Sequence, residues 1–205
     1  FQLMVEPQNL DVLEILSNAA ATIAEGEVLQ MTAAMDITTS EDTYMQVIRG
    51  KTAALFQAAT ESGAVLAGRC DADREALAQY GDALGVSFQI VDDLLDWGGA
   101  SGAMGKNTGD DFRERKMTLP VIRAIAKADA TEREFWARTI GRGDQGEGDL
   151  EQAFAILTRH GALEETRVEA LRFADHAKTS LAGLPYHPLR DMMRDLADYV
   201  VARIA

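Results

Sequence analysis

Cysteine, proline and basic residues are all scarce in this chain, and each shortage excludes something. The one cysteine, Cys70, has no partner for an internal disulfide, so we expect a reducing compartment and predict that the protein is cytoplasmic. Only four prolines occur in 205 residues, which leaves long stretches free to be helical. Twenty basic residues against 33 acidic ones give a formal charge of −13. This balance argues against nucleic acid as a partner, because neutralising phosphates requires clustered lysine and arginine.

Long apolar runs are missing as well. No stretch approaches the roughly 18 uncharged apolar residues of a membrane span, and the first residues have neither the basic flank nor the length of a signal peptide. We therefore expect no transmembrane segment. Hydrophobic residues still make up 47% of the chain, which is enough for a continuous core. We expect residues 1–205 to form a single domain.

Apolar residues recur at intervals of three and four along the chain, a pattern that predicts an all-α fold. Ser40, followed by Glu41 and Asp42, is a typical start of a helix, because the hydroxyl can cap it and the acids favour its positive end. The predicted helices cover residues 11–34, 40–62, 71–97, 119–127, 131–140, 149–159, 163–181 and 188–204. Five glycines among residues 98–109 predict a mobile loop.

Three aspartates, Asp92, Asp93 and Asp96, interrupt an otherwise apolar helix. Asp92 and Asp96 lie one turn apart and share a face with Phe88 and Gln89. Carboxylates at this spacing repel each other, and a divalent cation would compensate the repulsion. Oxygen donors without a nearby histidine or cysteine favour Mg²⁺, which fills its remaining positions with water and substrate phosphate oxygens. Taken alone, the triplet fits a solvated helix face in an acidic protein better.

Two lysines accompany the acid cluster. Lys106 lies in the glycine-rich segment, where its compact charge could clamp phosphate oxygens over a metal site, although an ordinary solvated loop is the alternative. Lys51 and Thr52 follow Gly50 in an alanine-rich helix, where small side chains let a bulky ligand approach; a surface lysine beside packing alanines is the alternative. The Gly105–Lys106 pair lacks the spacing of a Walker A loop, and no EF-hand loop is present.

In their order and spacing these motifs resemble those of the trans-prenyl diphosphate synthases. The matching segments are GEVLQ at 26–30, KTA at 51–53, GVSFQIVDDLLD at 85–96, GK at 105–106 and DDFRERKMTLP at 110–120. In detail the sequence is most similar to the bacterial octaprenyl and decaprenyl diphosphate synthases, which make quinone side chains. The resemblance implies an all-α, isoprenoid-synthase-type bundle of helices around a central cavity. It also implies a homodimeric, Mg²⁺-dependent prenyltransferase that condenses isopentenyl diphosphate head to tail with an allylic prenyl diphosphate.

The resemblance further implies roles for individual residues. Three are expected to hold Mg²⁺, with Asp92 as the direct ligand: Asp92, Asp93 and Asp96. Six are expected to bind substrate, with the lysines on the allylic diphosphate and the phenylalanine along the isoprenoid path: Lys51, Thr52, Phe88, Gln89, Lys106 and Lys116. The expected catalytic residues are Lys51, Asp92 and Lys106.

One departure from the family pattern is large. The first aspartate-rich motif, its arginine pair and the earlier site for isopentenyl diphosphate all precede the matched region and are not in this sequence. We therefore expect the chain to be the C-terminal part of such a synthase.

Other functions remain open on the sequence alone. They are a non-catalytic partner subunit of a prenyl synthase, a shorter-chain farnesyl or geranylgeranyl synthase, a class I terpene cyclase and an acidic helical scaffold without a ligand. The intact lysines and aspartates argue against the partner subunit, and the elements at 51–52 and 106–120 argue against the cyclase. The only pattern that bears on product length is a set of alanines at 19–21, 33–34, 53–54 and 58–59, which fit an elongated apolar tunnel or, equally well, close helix packing.

Overall fold

The computed structural model describes residues 2–98 and 108–204. Over these ranges the chain is helical and contains no β-strand, which confirms the predicted fold class. The α-helices are α1 (Gln2–Val5), α2 (Leu10–Ala33), α3 (Glu41–Ile48), α4 (Ala54–Leu66), α5 (Asp71–Leu95), α6 (Asp110–Arg113), α7 (Leu119–Lys127), α8 (Ala130–Trp136), α9 (Asp149–Arg159), α10 (Ala162–Ser180) and α11 (Pro188–Ala202). Most of the segment predicted to be a mobile loop, residues 99–107, lies outside the described residues.

Side-chain caps explain where several helices begin. Asn9 Oδ1 accepts a hydrogen bond from the Val12 amide at 3.1 Å, and Ser40 Oγ accepts one from Thr43 at 3.1 Å. Each cap satisfies an amide that the first turn of a helix leaves unpaired. In the part of the chain that is described, no helix is both long and apolar enough to span a membrane.

The helix predicted at 40–62 contains a π-helical turn. α3 continues directly into this turn at Arg49–Ala53, and the turn leads into α4. Turns of this kind are single bulges in an α-helix and are common at functional sites. This one carries Gly50, Lys51 and Thr52.

Glycines on both neighbouring helices let the π turn pack closely. A Cβ added at Gly26 of α2 would lie 2.6 Å from the Lys51 backbone nitrogen, and one added at Gly85 of α5 would lie 2.6 Å from the Ala53 Cα. No side chain fits at either position without moving backbone. The π turn is therefore wedged between α2 and α5.

The hydrophobic core surrounds α5, which packs against α4 on one side and α10 on the other. Near the C-terminal end of α5, Trp97, Phe112 and Trp136 form a chain of edge-on aromatic contacts with ring centroids 6.2 and 6.4 Å apart. Such contacts hold their helices more firmly than buried area alone would. The acid cluster thus lies on a well-anchored helix end.

Candidate active site

A cavity of about 240 Å³ lies between α2, α3, the π turn, α5 and the residues that precede α7. Six of the predicted site residues contribute to its wall: Lys51, Thr52, Gln89, Asp92, Asp93 and Lys116. The apolar part of the wall is Ala33, Ala34, Val47, Ile48 and Met117. One cavity therefore offers cations, carboxylates and an apolar surface together.

Asp92 and Asp111 both place a carboxylate in the cavity wall, but they differ in exposure and in hydrogen-bond partners. Asp92 is exposed, and no side chain among the described residues binds its carboxylate. The Asp111 side chain is only 17% exposed, and its Oδ1 lies 2.9 Å from Lys116 Nζ. Burial raises the pKa of Asp111, while the hydrogen bond from Lys116 opposes that shift.

Asp93 points into the protein. Its Oδ2 accepts a hydrogen bond from the Tyr44 hydroxyl at 2.6 Å, and its Oδ1 accepts one from Gln89 Nε2 at 2.8 Å. Burial raises the pKa of Asp93 to about 7, and these two hydrogen bonds act against the rise. Burial, reinforced by the Asp93 charge, places the pKa of Tyr44 well above its usual range. Both carboxylate oxygens of Asp93 are thus engaged by protein donors.

Asp96 caps the short helix that follows the undescribed segment. Its Oδ1 accepts from the Asp110 amide at 3.0 Å and its Oδ2 from the Asp111 amide at 2.9 Å, while its carbonyl accepts from the Gly109 amide at 2.8 Å. Asp96 is not among the residues that line the cavity. Its observed contacts fix the backbone that carries Asp111.

Both lysines of the cavity wall are held by neighbouring side chains. Lys51 Nζ donates to Gln30 Oε1 at 2.7 Å and lies 3.1 Å from Glu27 Oε1. Lys116 Nζ lies 2.9 Å from Asp111 and 2.8 Å from Glu114. Partial burial lowers the pKa of Lys116, but the hydrogen bonds to Glu114 and Asp111 outweigh it, so the net shift is upward. Lys116 is therefore a permanent cation.

Thr52 and Gln89 lie side by side, whereas Phe88 faces elsewhere. The Thr52 hydroxyl donates to Gln89 Oε1 at 2.8 Å. Phe88 stacks on Phe56, with ring centroids 5.5 Å apart, and Arg203 lies 5.9 Å from its ring centre. Phe88 does not line the cavity. Lys106 lies outside the described residues, so its role stays a prediction.

Two residues of the cavity wall, Asp111 and Tyr44, were not among the predicted site residues. The sequence held a signal for Asp111, because the Asp110–Asp111 pair follows the glycine-rich segment in the motif at 110–120. Tyr44 gives no local signal, since its hydrogen-bond partner Asp93 is 49 residues away.

The donors in the cavity suit a hard metal ion. Within residues 2–98 and 108–204, no three His, Cys, Asp or Glu side chains are grouped closely enough to form a metal site by themselves. Mg²⁺ needs only one or two carboxylates and completes its shell with water and phosphate oxygens. The carboxylates of Asp92 and Asp111 fit that requirement.

Several known proteins are similar to this chain. Octaprenyl diphosphate synthase of Escherichia coli (strain K12) is 39% identical over 203 residues, which are 99% of this chain and 62% of that protein. The crystal structure of a decaprenyl diphosphate synthase from Rhodobacter capsulatus matches with a TM-score of 0.98 at 61% identity, covering 100% of this chain and 63% of that one. A polyprenyl synthase from Caulobacter crescentus CB15, complexed with calcium and isoprenyl diphosphate, matches with a TM-score of 0.92 at 48% identity, covering 100% and 62%.

The chain thus spans a little under two thirds of the length of these relatives. The sequence profile of the family described as polyprenyl synthetase matches residues 1–157. This chain belongs to the polyprenyl synthetase family.

Proposed function

We propose that the protein carrying this chain is a long-chain all-trans polyprenyl diphosphate synthase, which condenses isopentenyl diphosphate with an allylic prenyl diphosphate. The observation that carries the proposal is the cavity in which Asp92, Asp111, Lys51 and Lys116 share a wall with apolar side chains. A diphosphate needs cations and a metal held by carboxylates, and a prenyl tail needs an apolar wall. The family and the names of its similar members support this substrate class.

Asp92 and Asp111 would hold Mg²⁺ in this enzyme. Bound Mg²⁺ neutralises charge on the diphosphate and so makes it a better leaving group. The calcium and isoprenyl diphosphate in the Caulobacter crescentus protein support a divalent ion beside a prenyl diphosphate in this family.

The chain's own residues bind the substrate and stabilise its departing group. Lys51 and Lys116 would bind phosphate oxygens, and Lys106 is predicted to do the same. Preorganised cations of this kind stabilise the negative charge that gathers on the diphosphate as the allylic C–O bond breaks. The new C–C bond forms at the carbon left behind, and the proton then lost from the isopentenyl unit passes to the released diphosphate.

The alanines considered for product length lie in different environments. Ala33 and Ala34 line the first cavity, whereas Ala53 is fully buried against Gly85. A second cavity of about 330 Å³ lies between α2 and α4. Ala19 and Ala58 line it, but most of its wall is polar, with Asp11, Glu14, Asn18, Gln57, Glu61 and Arg74, and this does not suit a prenyl chain.

The proposed activity is tested by turnover of the full-length protein with farnesyl diphosphate and labelled isopentenyl diphosphate, with Mg²⁺ and with a chelator. We expect a Mg²⁺-dependent series of products that ends at one long chain, read by chromatography. Absence of product, or a series that stops at geranylgeranyl diphosphate, would contradict the proposal.

The predicted homodimer is part of this proposal and is checked by light scattering of the full-length protein. A monomeric mass for the active enzyme would contradict it.

A further inference from the structure

A chain of hydrogen bonds runs from the core to the cavity through four side chains. The Tyr44 hydroxyl donates to Asp93 Oδ2 at 2.6 Å, and Gln89 Nε2 donates to Asp93 Oδ1 at 2.8 Å. Thr52 Oγ1 then donates to Gln89 Oε1 at 2.8 Å. The chain links α5 to α3 and the π turn, and its two bonds between them join residues 49 and 37 positions apart in the sequence.

The direction of each bond in this chain is determined by chemistry. Asp93 accepts one hydrogen bond from each of its two neighbours, Tyr44 and Gln89. The Gln89 amide has a donor end and an acceptor end, and Asp93 draws the donor end toward itself. The acceptor end is thereby turned to Thr52, which commits the hydroxyl hydrogen of Thr52 to Gln89. The oxygen lone pairs of Thr52 remain available to whatever occupies the cavity.

Tyr44 and Asp93 are built into the core more deeply than residues that bind a ligand need to be. Their exposed fractions are 4% and 5%. A buried carboxylate is costly unless hydrogen bonds satisfy it, and here Tyr44 and Gln89 do so. Each oxygen of Asp93 already accepts one hydrogen bond, and with only 5% of the residue exposed little of the carboxylate is open to a metal ion.

We propose that Tyr44 and Asp93 are positioning residues, which hold the Gln89 amide and the Thr52 hydroxyl in one orientation, and that Asp93 is not a metal ligand. This changes the role of Asp93 that the sequence pattern predicts. It rests on the proposed function, since Thr52 must face the allylic substrate for its orientation to matter.

Calorimetry separates a positioning residue from a metal ligand. The full-length protein is titrated with inorganic pyrophosphate in the presence of Mg²⁺, and Asp93→Asn is compared with Asp92→Asn. We expect Asp93→Asn to bind within about twofold of the unsubstituted protein and Asp92→Asn to bind at least about tenfold more weakly. Equal losses in the two variants would make Asp93 a ligand and overturn the proposal.

Kinetics then test the orientation of Thr52. Tyr44→Phe removes one hydroxyl from the far end of the chain and leaves the ring in place. We expect kcat to fall by about tenfold with KM for the allylic substrate unchanged, because the pocket is intact and only the alignment of Thr52 is lost. A normal kcat, or a rise in KM alone, would show that Tyr44 positions nothing.

Tyr80→Phe is the matched control. Tyr80 is 1% exposed, and its hydroxyl donates to the Met193 carbonyl at 2.8 Å, outside the cavity wall. We expect it to lower the unfolding temperature about as much as Tyr44→Phe while leaving kcat unchanged. An equal fall of kcat in both variants would show that Tyr44→Phe acts on kcat only through lost stability, and would overturn the proposal.

If the unsubstituted protein neither binds Mg²⁺ with pyrophosphate nor forms product, the proposed function itself fails and this inference fails with it.

Discussion

Asp92, Asp93 and Asp96 lie within five residues of one another, yet their partners differ. Asp92 faces the cavity, Asp93 accepts from Tyr44 and Gln89, and Asp96 caps α6. Helical spacing places the first and third on one face of α5, and the sequence predicts that much. It cannot predict their partners, because these come from 49 residues before Asp93 and from 15 residues after Asp96.

Glu132 is a buried carboxylate outside the cavity whose partners predict a pH dependence. Its side chain is 7% exposed and contacts His160 Nε2 and Arg159 at 2.7 Å each. The hydrogen bond with His160, together with the Asp129 amide, lowers the pKa of Glu132 from its ordinary 4.5. A lowered pKa in the folded state stabilises the protein above pH 4.5, and this stabilisation disappears as the pH falls through the lowered value.

We therefore predict that Glu132→Gln lowers the free energy of unfolding by about 2 kcal/mol at pH 7 and by less at pH 4, because the contacts it loses involve charged groups. Urea unfolding at the two pH values measures both losses. Glu134→Gln is the control, since Glu134 is 70% exposed and pairs with Arg142 on the surface. A loss for Glu132→Gln that is the same at both pH values would contradict the prediction.

At the scale of elements, local signals in the sequence predicted most of the helices but did not predict the π turn. Ser40 caps α3 as predicted, and the helix predicted at 119–127 is present with the same bounds. The π turn depends on how α2 and α5 pack against Arg49–Ala53, and nothing in its five residues, which include one glycine and one alanine, distinguishes it from an ordinary α-helix. The short helices α1 and α6 have too few residues to show a period.

Two glycine substitutions should have opposite effects on stability, because Gly85 packs against the π turn and Gly63 faces open space. Gly85→Ala would force its Cβ against Ala53, so we expect a loss of about 1–3 kcal/mol in unfolding free energy. It should also weaken binding of Mg²⁺ and pyrophosphate, because Lys51 and Thr52 shift with the turn. Gly63→Ala on α4 meets nothing within 4 Å and should stabilise by up to about 1 kcal/mol.

Urea unfolding and calorimetry of the two variants provide the measurement. Unchanged stability in Gly85→Ala would show that the turn can move away from α5. Normal ligand binding in a destabilised Gly85→Ala would separate the packing of the turn from the geometry of the site.

At the scale of the whole molecule, the fold was predictable from helical periodicity and from the family motifs together. Matches to solved structures with TM-scores of 0.98 and 0.92 confirm it.

The site was predictable only in part. Phe88 shares a helix face with Asp92 in the sequence, but the structure packs it against Phe56. The Phe88 ring is partly buried, and its contacts depend on helices that are distant in the sequence. The periodicity of α5 alone does not predict which of these helices it meets.

A ligand site predicts linked stability for the whole protein. We expect Mg²⁺ with pyrophosphate to raise the unfolding free energy by about 2.7 kcal/mol at a hundred times Kd, and a chelator to remove the gain. Thermal unfolding with magnesium chloride alone is the control. An unchanged unfolding temperature with both ligands present would favour the alternative of an acidic helical scaffold without a ligand.

The lysines of the cavity wall are paired with acidic side chains before any substrate arrives, Lys51 with Glu27 and Lys116 with Asp111 and Glu114. A free anion therefore finds little unpaired positive charge on this wall, in a chain of formal charge −13. A divalent ion bound to Asp111 would remove one of the two acidic partners of Lys116, and a phosphate that drew Lys116 away would leave Asp111 for the ion. Under the proposed function, metal and diphosphate would bind with positive heterotropic coupling, and each would raise the affinity for the other by the same factor. On that proposal, the species this cavity would select is the metal–diphosphate complex and neither component by itself.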